Sequence, residues 1–147
     1  MSATTGVLPE RFMGSWKLEK SENFDEFLVK KGVPWIARKM MNLSSMTKVF
    51  TAGGTAGDEV HLDNQTLMKR LQWNGKLNQP FETQGFDGQT HQVTFSIDGE
   101  ALLEKHVRIH DEDKPEETYR YVVDGEYLIM SMEHGGILCK RYFKKQP

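Results

Sequence analysis

Two arginines near the C-terminus, Arg120 and Arg141, have the clearest chemical capacity in the sequence. A guanidinium stays charged under ordinary conditions and can grip a carboxylate through two parallel hydrogen bonds. Arg141 lies in Ile137-Leu-Cys-Lys-Arg-Tyr-Phe143. In an extended strand alternate side chains share a face, which groups Ile137, Cys139, Arg141 and Phe143 apart from Leu138, Lys140, Tyr142 and Lys144. The first face is apolar except for the arginine. A buried, unpaired charge costs on the order of several kcal/mol, so Arg141 must either reach water or hold an anion. Arg120 lies in Thr118-Tyr-Arg-Tyr-Val122, where neither face is cleanly apolar. Such a strand suits a partly polar lumen, where two guanidiniums would make a carboxylate site. A solvent-facing Arg120 is an equal alternative.

Other chemistries find no support in the spacing. The five histidines, His61, His91, His106, His110 and His134, include no His-x-x-x-His pair, and Cys139 has no histidine in chelating order, so no metal is expected. Asp111-Glu112-Asp113 lacks the spaced oxygens and the glycine of a calcium loop and reads as a solvated turn. No nucleophile elbow, phosphate-cradling glycine loop or nucleophile–base pair can be named, and Cys139 shares the apolar face as a small core residue. The expectation is a non-enzyme without a cofactor. Lys30, Lys31, Arg38 and Lys39 form a basic cluster that could meet an anionic membrane or a receptor; an ordinary solvated face is the plainer reading.

The elements that must position these residues follow from punctuation and period. Phe12-Met-Gly-Ser-Trp16-Lys-Leu18 reads as a first strand with a bend at Gly14. Asn23 and Glu26 form a capping-box pair for a helix over 24–31, with Gly32 at its C-terminal stop. Pro34 suits the first position of a second helix through Leu43, with Ile36, Met40 and Leu43 on one stripe. From Met46 the pairs Gly53-Gly54, Asn74-Gly75, Asp87-Gly88, Asp98-Gly99, Asp124-Gly125 and Gly135-Gly136 mark turns at hairpin spacing. They separate candidate strands at 46–52, 58–63, 66–73, 78–84, 90–97, 101–109, 116–123, 127–133 and 137–144. With the first strand these make an all-β, ten-stranded antiparallel up-and-down barrel with a two-helix lid, wide enough for an interior cavity. Its 147 residues fit one domain, 1–147.

Lys+Arg 19 against Asp+Glu 21 gives a net charge of −2, and no nucleic-acid partner is expected. The single cysteine rules out an intramolecular disulfide and favours a reducing compartment. With no basic segment followed by an apolar one at the N-terminus, the expected location is cytoplasmic, with nuclear entry open and secretion the alternative if a leader precedes this sequence.

Two long motifs then carry a resemblance. Phe12-Met-Gly-Ser-Trp16 through Asn23-Phe24-Asp-Glu-Phe27-Leu, with Gly32-Val33 and Arg38-Lys39, resembles the intracellular lipid-binding proteins, specifically the fatty-acid-binding proteins. So does His134-Gly-Gly-Ile-Leu-Cys139-Lys-Arg141-Tyr-Phe143-Lys-Lys. Glu117 to Met132 and the glycine-rich stretch Gly53 to Gly57 are most similar to the nematode branch. The resemblance implies a ten-stranded β-clam of lipocalin-like (calycin) architecture, two portal helices and non-catalytic, monomeric carriage of long-chain fatty acids. The family's Arg-x-Tyr carboxylate motif falls on Arg141-Tyr142-Phe143, with phenylalanine in place of tyrosine. Its second arginine falls on Arg120, although the chain has one residue more than the family pattern around Glu126-Tyr127. Phe24 matches a ligand-lining position. Alternatives left open are a retinoid or other amphipathic-acid carrier, and a lipid-regulated signalling adaptor that docks a membrane or nuclear receptor through the basic lid.

Overall fold

The structure is a computed structural model describing residues 6–147. After a short 3-10 turn at Glu10–Phe12 the chain forms β1 (Gly14–Glu22), α1 (Phe24–Lys30) and α2 (Trp35–Leu43). Then follow β2 (Met46–Gly53), β3 (Glu59–Thr66), β4 (Arg70–Lys76), β5 (Phe81–Gln84), β6 (Thr90–Asp98), β7 (Ala101–Arg108), β8 (Glu116–Asp124), β9 (Tyr127–His134) and β10 (Ile137–Lys145). The ten strands make one antiparallel sheet in the order β4-β3-β2-β1-β10-β9-β8-β7-β6-β5. Each strand lies beside its sequence neighbour, except that β10 returns to β1 and that no ladder joins β4 to β5. The barrel is therefore nearly closed. At the gap, the Trp73 indole Nε1 donates to the Gln84 carbonyl (3.0 Å).

Alternation along the strands builds the interior. Trp16, Phe50, Phe95, Leu102, Tyr121 and Phe143 are all buried and point into a common core. β10 behaves as its pattern predicts, with Cys139, Arg141 and Phe143 buried and their neighbours facing out.

Two local expectations are corrected. Asn23 does not cap α1 with its side chain; it adopts the left-handed conformation (φ 59°) and its amide donates to the Leu138 carbonyl (3.0 Å). The reason is geometric: β1 ends at Glu22 and α1 begins at Phe24, so a single residue must reverse the chain, and asparagine tolerates positive φ better than most residues. Asn74-Gly75 is not a turn but lies within β4, and the hairpin to β3 closes at Leu67–Lys69, where Thr66 Oγ1 donates to the Lys69 carbonyl (2.9 Å). Gly75 is there for space, because a Cβ at this position would overlap the Phe81 ring. The stripe of α2 lies where its spacing puts it and faces solvent: Ile36, Met40 and Leu43 are all exposed. The stop at Gly32 holds, with φ 83° and the paired bonds Gly32 N–H to Val29 carbonyl and Val33 N–H to Leu28 carbonyl of a Schellman ending.

The Gly75 contact can be tested by substitution. Gly75→Ala should lower stability by about 1–3 kcal/mol in urea unfolding. The loss should shrink in a Phe81→Ala background, since the two positions compete for the same space; equal losses in both backgrounds would contradict the contact.

Candidate functional site: the polar interior of the barrel

β10 carries Arg141 inward, opposite Ser21 on β1 and Met130 on β9. Its Nε donates to the Ser21 hydroxyl (3.0 Å), and its guanidinium carbon sits 3.7 Å from the centroid of the Phe24 ring. Phe24 opens α1, so the helix roofs the arginine with an aromatic face, an arrangement that favours a weakly hydrated guanidinium. Arg141 is only 7% exposed and makes no ion pair with a carboxylate among the described residues. Burial pulls it down to about 10, which leaves it charged at neutral pH. A cleft of about 500 Å3 between β1, the start of α1 and the end of α2 reaches it, past Ser21, Phe24 and Ser44.

A second interior cation was not anticipated. Lys48 on β2 is buried, donates from Nζ to Asn64 Oδ1 (2.7 Å), and lies 5.6 Å and 5.9 Å from the Tyr121 and Phe143 ring centroids. Burial lowers its ammonium most; the charge of Glu104 opposes that, the charge of Arg141 adds to it, and the result is about 8.

The interior anion is Glu104 on β7, which accepts from the Tyr121 hydroxyl (2.8 Å) and meets His106 Nε2 at 2.6 Å. Burial pushes its carboxyl up, but the hydrogen bond and charge of His106, the charge of Lys48 and the Tyr121 hydroxyl outweigh this and hold it below its ordinary range. Burial and Glu104 together keep the Tyr121 hydroxyl protonated. The interior is thus a set of buried charges in which cations outnumber this carboxylate.

Comparison with known proteins shows the family. No family model matches the chain. The Caenorhabditis elegans protein "Fatty acid-binding protein homolog 3" is 39% identical over 146 residues, covering 99% of this chain and 88% of its own. The chain belongs to the fatty-acid-binding proteins. An Ascaris suum fatty acid-binding protein homolog is 38% identical over 145 residues, with 95% and 87% coverage, and places the chain among the nematode members of the family. Among solved structures, As-p18, described as an extracellular fatty acid binding protein, matches with a TM-score of 0.89 at 37% identity, covering 95% of this chain and 99% of its own. A Schistosoma mansoni fatty acid binding protein in complex with arachidonic acid matches with a TM-score of 0.82 at 26% identity and coverage of 94% and 98%.

Within this fatty-acid-binding protein the motif residues separate. Arg141, Phe143 and Phe24 come together in the interior. Arg120 does not join them: it faces solvent and its Nη1 pairs with Asp98 (3.0 Å). Tyr121 takes the inward place, because the register of β8 puts Glu117, Tyr119, Tyr121 and Val123 on the inner face. The basic cluster on the helices also divides. Lys31 is bound to Glu117 (2.5 Å) and Arg38 to Asp25 (3.2 Å), while Lys39 lies 5.2 Å from the Trp35 ring centroid. Lys30 packs its stem against Gly135. Cys139 is buried, and burial raises its thiol to about 11, so it stays protonated at neutral pH. Lys48 and Glu104 carried the same signal as Arg141, a charge on an otherwise apolar alternation: Met46-Lys48-Phe50 and Leu102-Glu104.

Lys48 gives a test with a definite sign. Lysine ordinarily titrates at 10.5 and here at about 8, so between those values the unfolded chain binds more protons than the folded one and stability rises with pH. Below pH 8 the charged ammonium opposes folding. Lys48→Met should therefore raise stability at neutral pH, by on the order of 1–3 kcal/mol, and flatten the rise between pH 8 and 10.5. Urea titrations of both proteins across that range measure it, and a destabilised variant with the rise intact would refute it.

Proposed function

We propose that the protein is a non-catalytic carrier of long-chain fatty acids that holds the ligand carboxylate at Arg141, with Lys48 as the second cation, and the acyl chain against the apolar inner faces of the strands. The observation that carries this reading is a buried guanidinium with no carboxylate partner among the described residues, inside a fatty-acid-binding protein barrel. An incoming carboxylate would supply the charge that Ser21 and the Phe24 face do not. The tail contributes affinity at about 0.8 kcal/mol per buried CH₂, while the cations orient the ligand and disfavour neutral analogues. Phe143 supplies a ring but no hydroxyl at its motif position, which leaves the guanidinium as the main donor. Arg120 has no part in the site. A retinoid or another amphipathic acid of similar length would use the same chemistry. The carrier acts as a monomer in the cytoplasm, with a secreted carrier the alternative that the extracellular relative raises.

Arg141→Ala should weaken binding of a long-chain acid by about 1.5–3 kcal/mol and hardly affect the corresponding alcohol, while Arg120→Ala should leave both unchanged. Calorimetry with the acid–alcohol pair decides this; equal losses for acid and alcohol in the Arg141 variant would remove it as the head-group anchor.

A second reading, delivery by contact with membranes, is favoured by α2, which presents Trp35, Ile36, Met40 and Leu43 to solvent. No helix of the described residues is long and apolar enough to span a bilayer, but a helix of this kind can lie in the interface. Ile36→Asp with Leu43→Asp should slow transfer of a fluorescent fatty acid to anionic vesicles without changing affinity in solution. Transfer that is independent of vesicle concentration in the unmodified protein would point to release through water instead.

A further inference from the structure

Beyond the head-group cations the interior contains a hydrogen-bonded chain that carriage of a fatty acid does not by itself require. Asp87, in the loop between β5 and β6, meets His91 Nε2 at 2.9 Å; His91 Nδ1 meets His106 Nδ1 at 2.8 Å; and His106 Nε2 meets Glu104 at 2.6 Å. Side-chain exposure falls along it, from 40% at Asp87 through 8% at His91 and 4% at His106 to 1% at Glu104. The chain thus runs from solvent to the polar interior. It is closely fitted, because a Cβ at Gly85 would overlap the His91 ring, and Trp73 packs edge-on against His106 at 5.1 Å between centroids.

An ionised carboxylate only accepts hydrogen bonds, and a neutral imidazole carries one N–H. Three links, from Asp87 to His91, His91 to His106 and His106 to Glu104, need three protons. Two neutral imidazoles bring two. With only two protons one of the three contacts sets lone pair against lone pair, and it is the Nδ1–Nδ1 contact at 2.8 Å when both Nε2 atoms donate to their carboxylates; with a fourth, one contact sets hydrogen against hydrogen.

We propose that the His91–His106 pair is a proton-binding site that holds a single shared proton between its Nδ1 atoms, and that this proton is coupled to fatty-acid binding through Glu104. The coupling rests on the carrier reading above. Arg141, Lys48 and the shared proton are three positive charges, set against Glu104 and Asp87, and a monoanionic head group balances them. The remaining charged neighbours are internally matched. On β7 Arg108 lies 4.0 Å from Asp87 and is held by Asp111; from β8 Glu117 is neutralised by Lys31 of α1 and is 3.9 Å from His134; Tyr119, 5.3 Å from His106, donates to Glu117. Anion binding favours the protonated pair, so ligand and proton bind together, and loss of the proton at higher pH weakens the ligand.

The test uses a long-chain alkyl sulfonate, whose charge does not change with pH, in titration calorimetry with buffers of different ionisation enthalpy. Proton uptake per ligand should grow as pH rises, the pair contributing at most one proton, about tenfold in affinity per pH unit, beside the part due to Lys48. The Lys48→Met protein should retain uptake by the pair, whereas His91→Gln/His106→Gln should lose it and keep only the part due to Lys48. Identical uptake in the double-glutamine and unmodified proteins would overturn the coupling. Independently, long-range 1H–15N NMR of the ligand-free protein should show both Nε2 atoms protonated and one proton shared between the Nδ1 atoms; two neutral rings with bare Nδ1 atoms would overturn the site. Failure of the sulfonate to bind would count against the carrier reading, and the NMR spectrum would still decide the histidine pair.

Discussion

A charged guanidinium kept from water, with no carboxylate beside it among the described residues, is the constraint around which this barrel is arranged. Burial lowers Arg141 to about 10, well short of discharging it at neutral pH, and the structure answers with weak partners: the Ser21 hydroxyl and the face of Phe24. Lys48 adds a second cation, and Glu104 is the interior carboxylate that faces it. Positive charge in excess inside a low-dielectric wall is a cost to folding and an attraction for an anion. Stability and binding pull in opposite directions here, as they commonly do at functional sites.

The scaffold bears this cost because everything around the charges is regular. Ladders run through nine of the ten possible strand neighbours, and the remaining gap between β4 and β5 is bridged by the Trp73 indole. Large side chains such as Trp16, Phe50, Phe95 and Tyr121 are almost fully buried on the inner faces. Against that core, α1 is firmly seated through Phe24, Phe27 and Leu28, whereas α2 buries none of its side chains. The two helices of the lid therefore differ in kind: α1 roofs Arg141, and α2 offers an apolar face to whatever approaches.

The polar interior is organised along the strands rather than at one point. Glu104 serves as acceptor for both Tyr121 and His106, and so connects the region of Lys48 to the histidines and, through Asp87, to solvent. Removing any one group would leave another buried and unpaired, which is the usual reason that such networks behave as units.

The sequence by itself determined the element order, the inward face of β10 and the oddity of Arg141, because strand alternation and turn chemistry are local: Asp98-Gly99 or Asp124-Gly125 needs only its own backbone to turn. It also contained the oddity of Lys48 and Glu104, each a charge on an apolar alternation. Local signals could not fix which face of a mixed strand turns inward. In β8 both faces carry polar groups, with Tyr119 and Tyr121 on one and Thr118 and Arg120 on the other, and the pairing of Tyr121 with Leu102 on β7 and Met130 on β9 decided that Tyr121, not Arg120, enters the core. The same limit hid the Asn23 reversal, set by how closely α1 follows β1, and the role of Gly75, set by Phe81 across the gap. Scattered histidines looked unremarkable because His91 and His106 are 15 residues apart and meet only when β6 pairs with β7. Alternation is a property of one strand; contact between charges is a property of register, and only the assembled sheet fixes that.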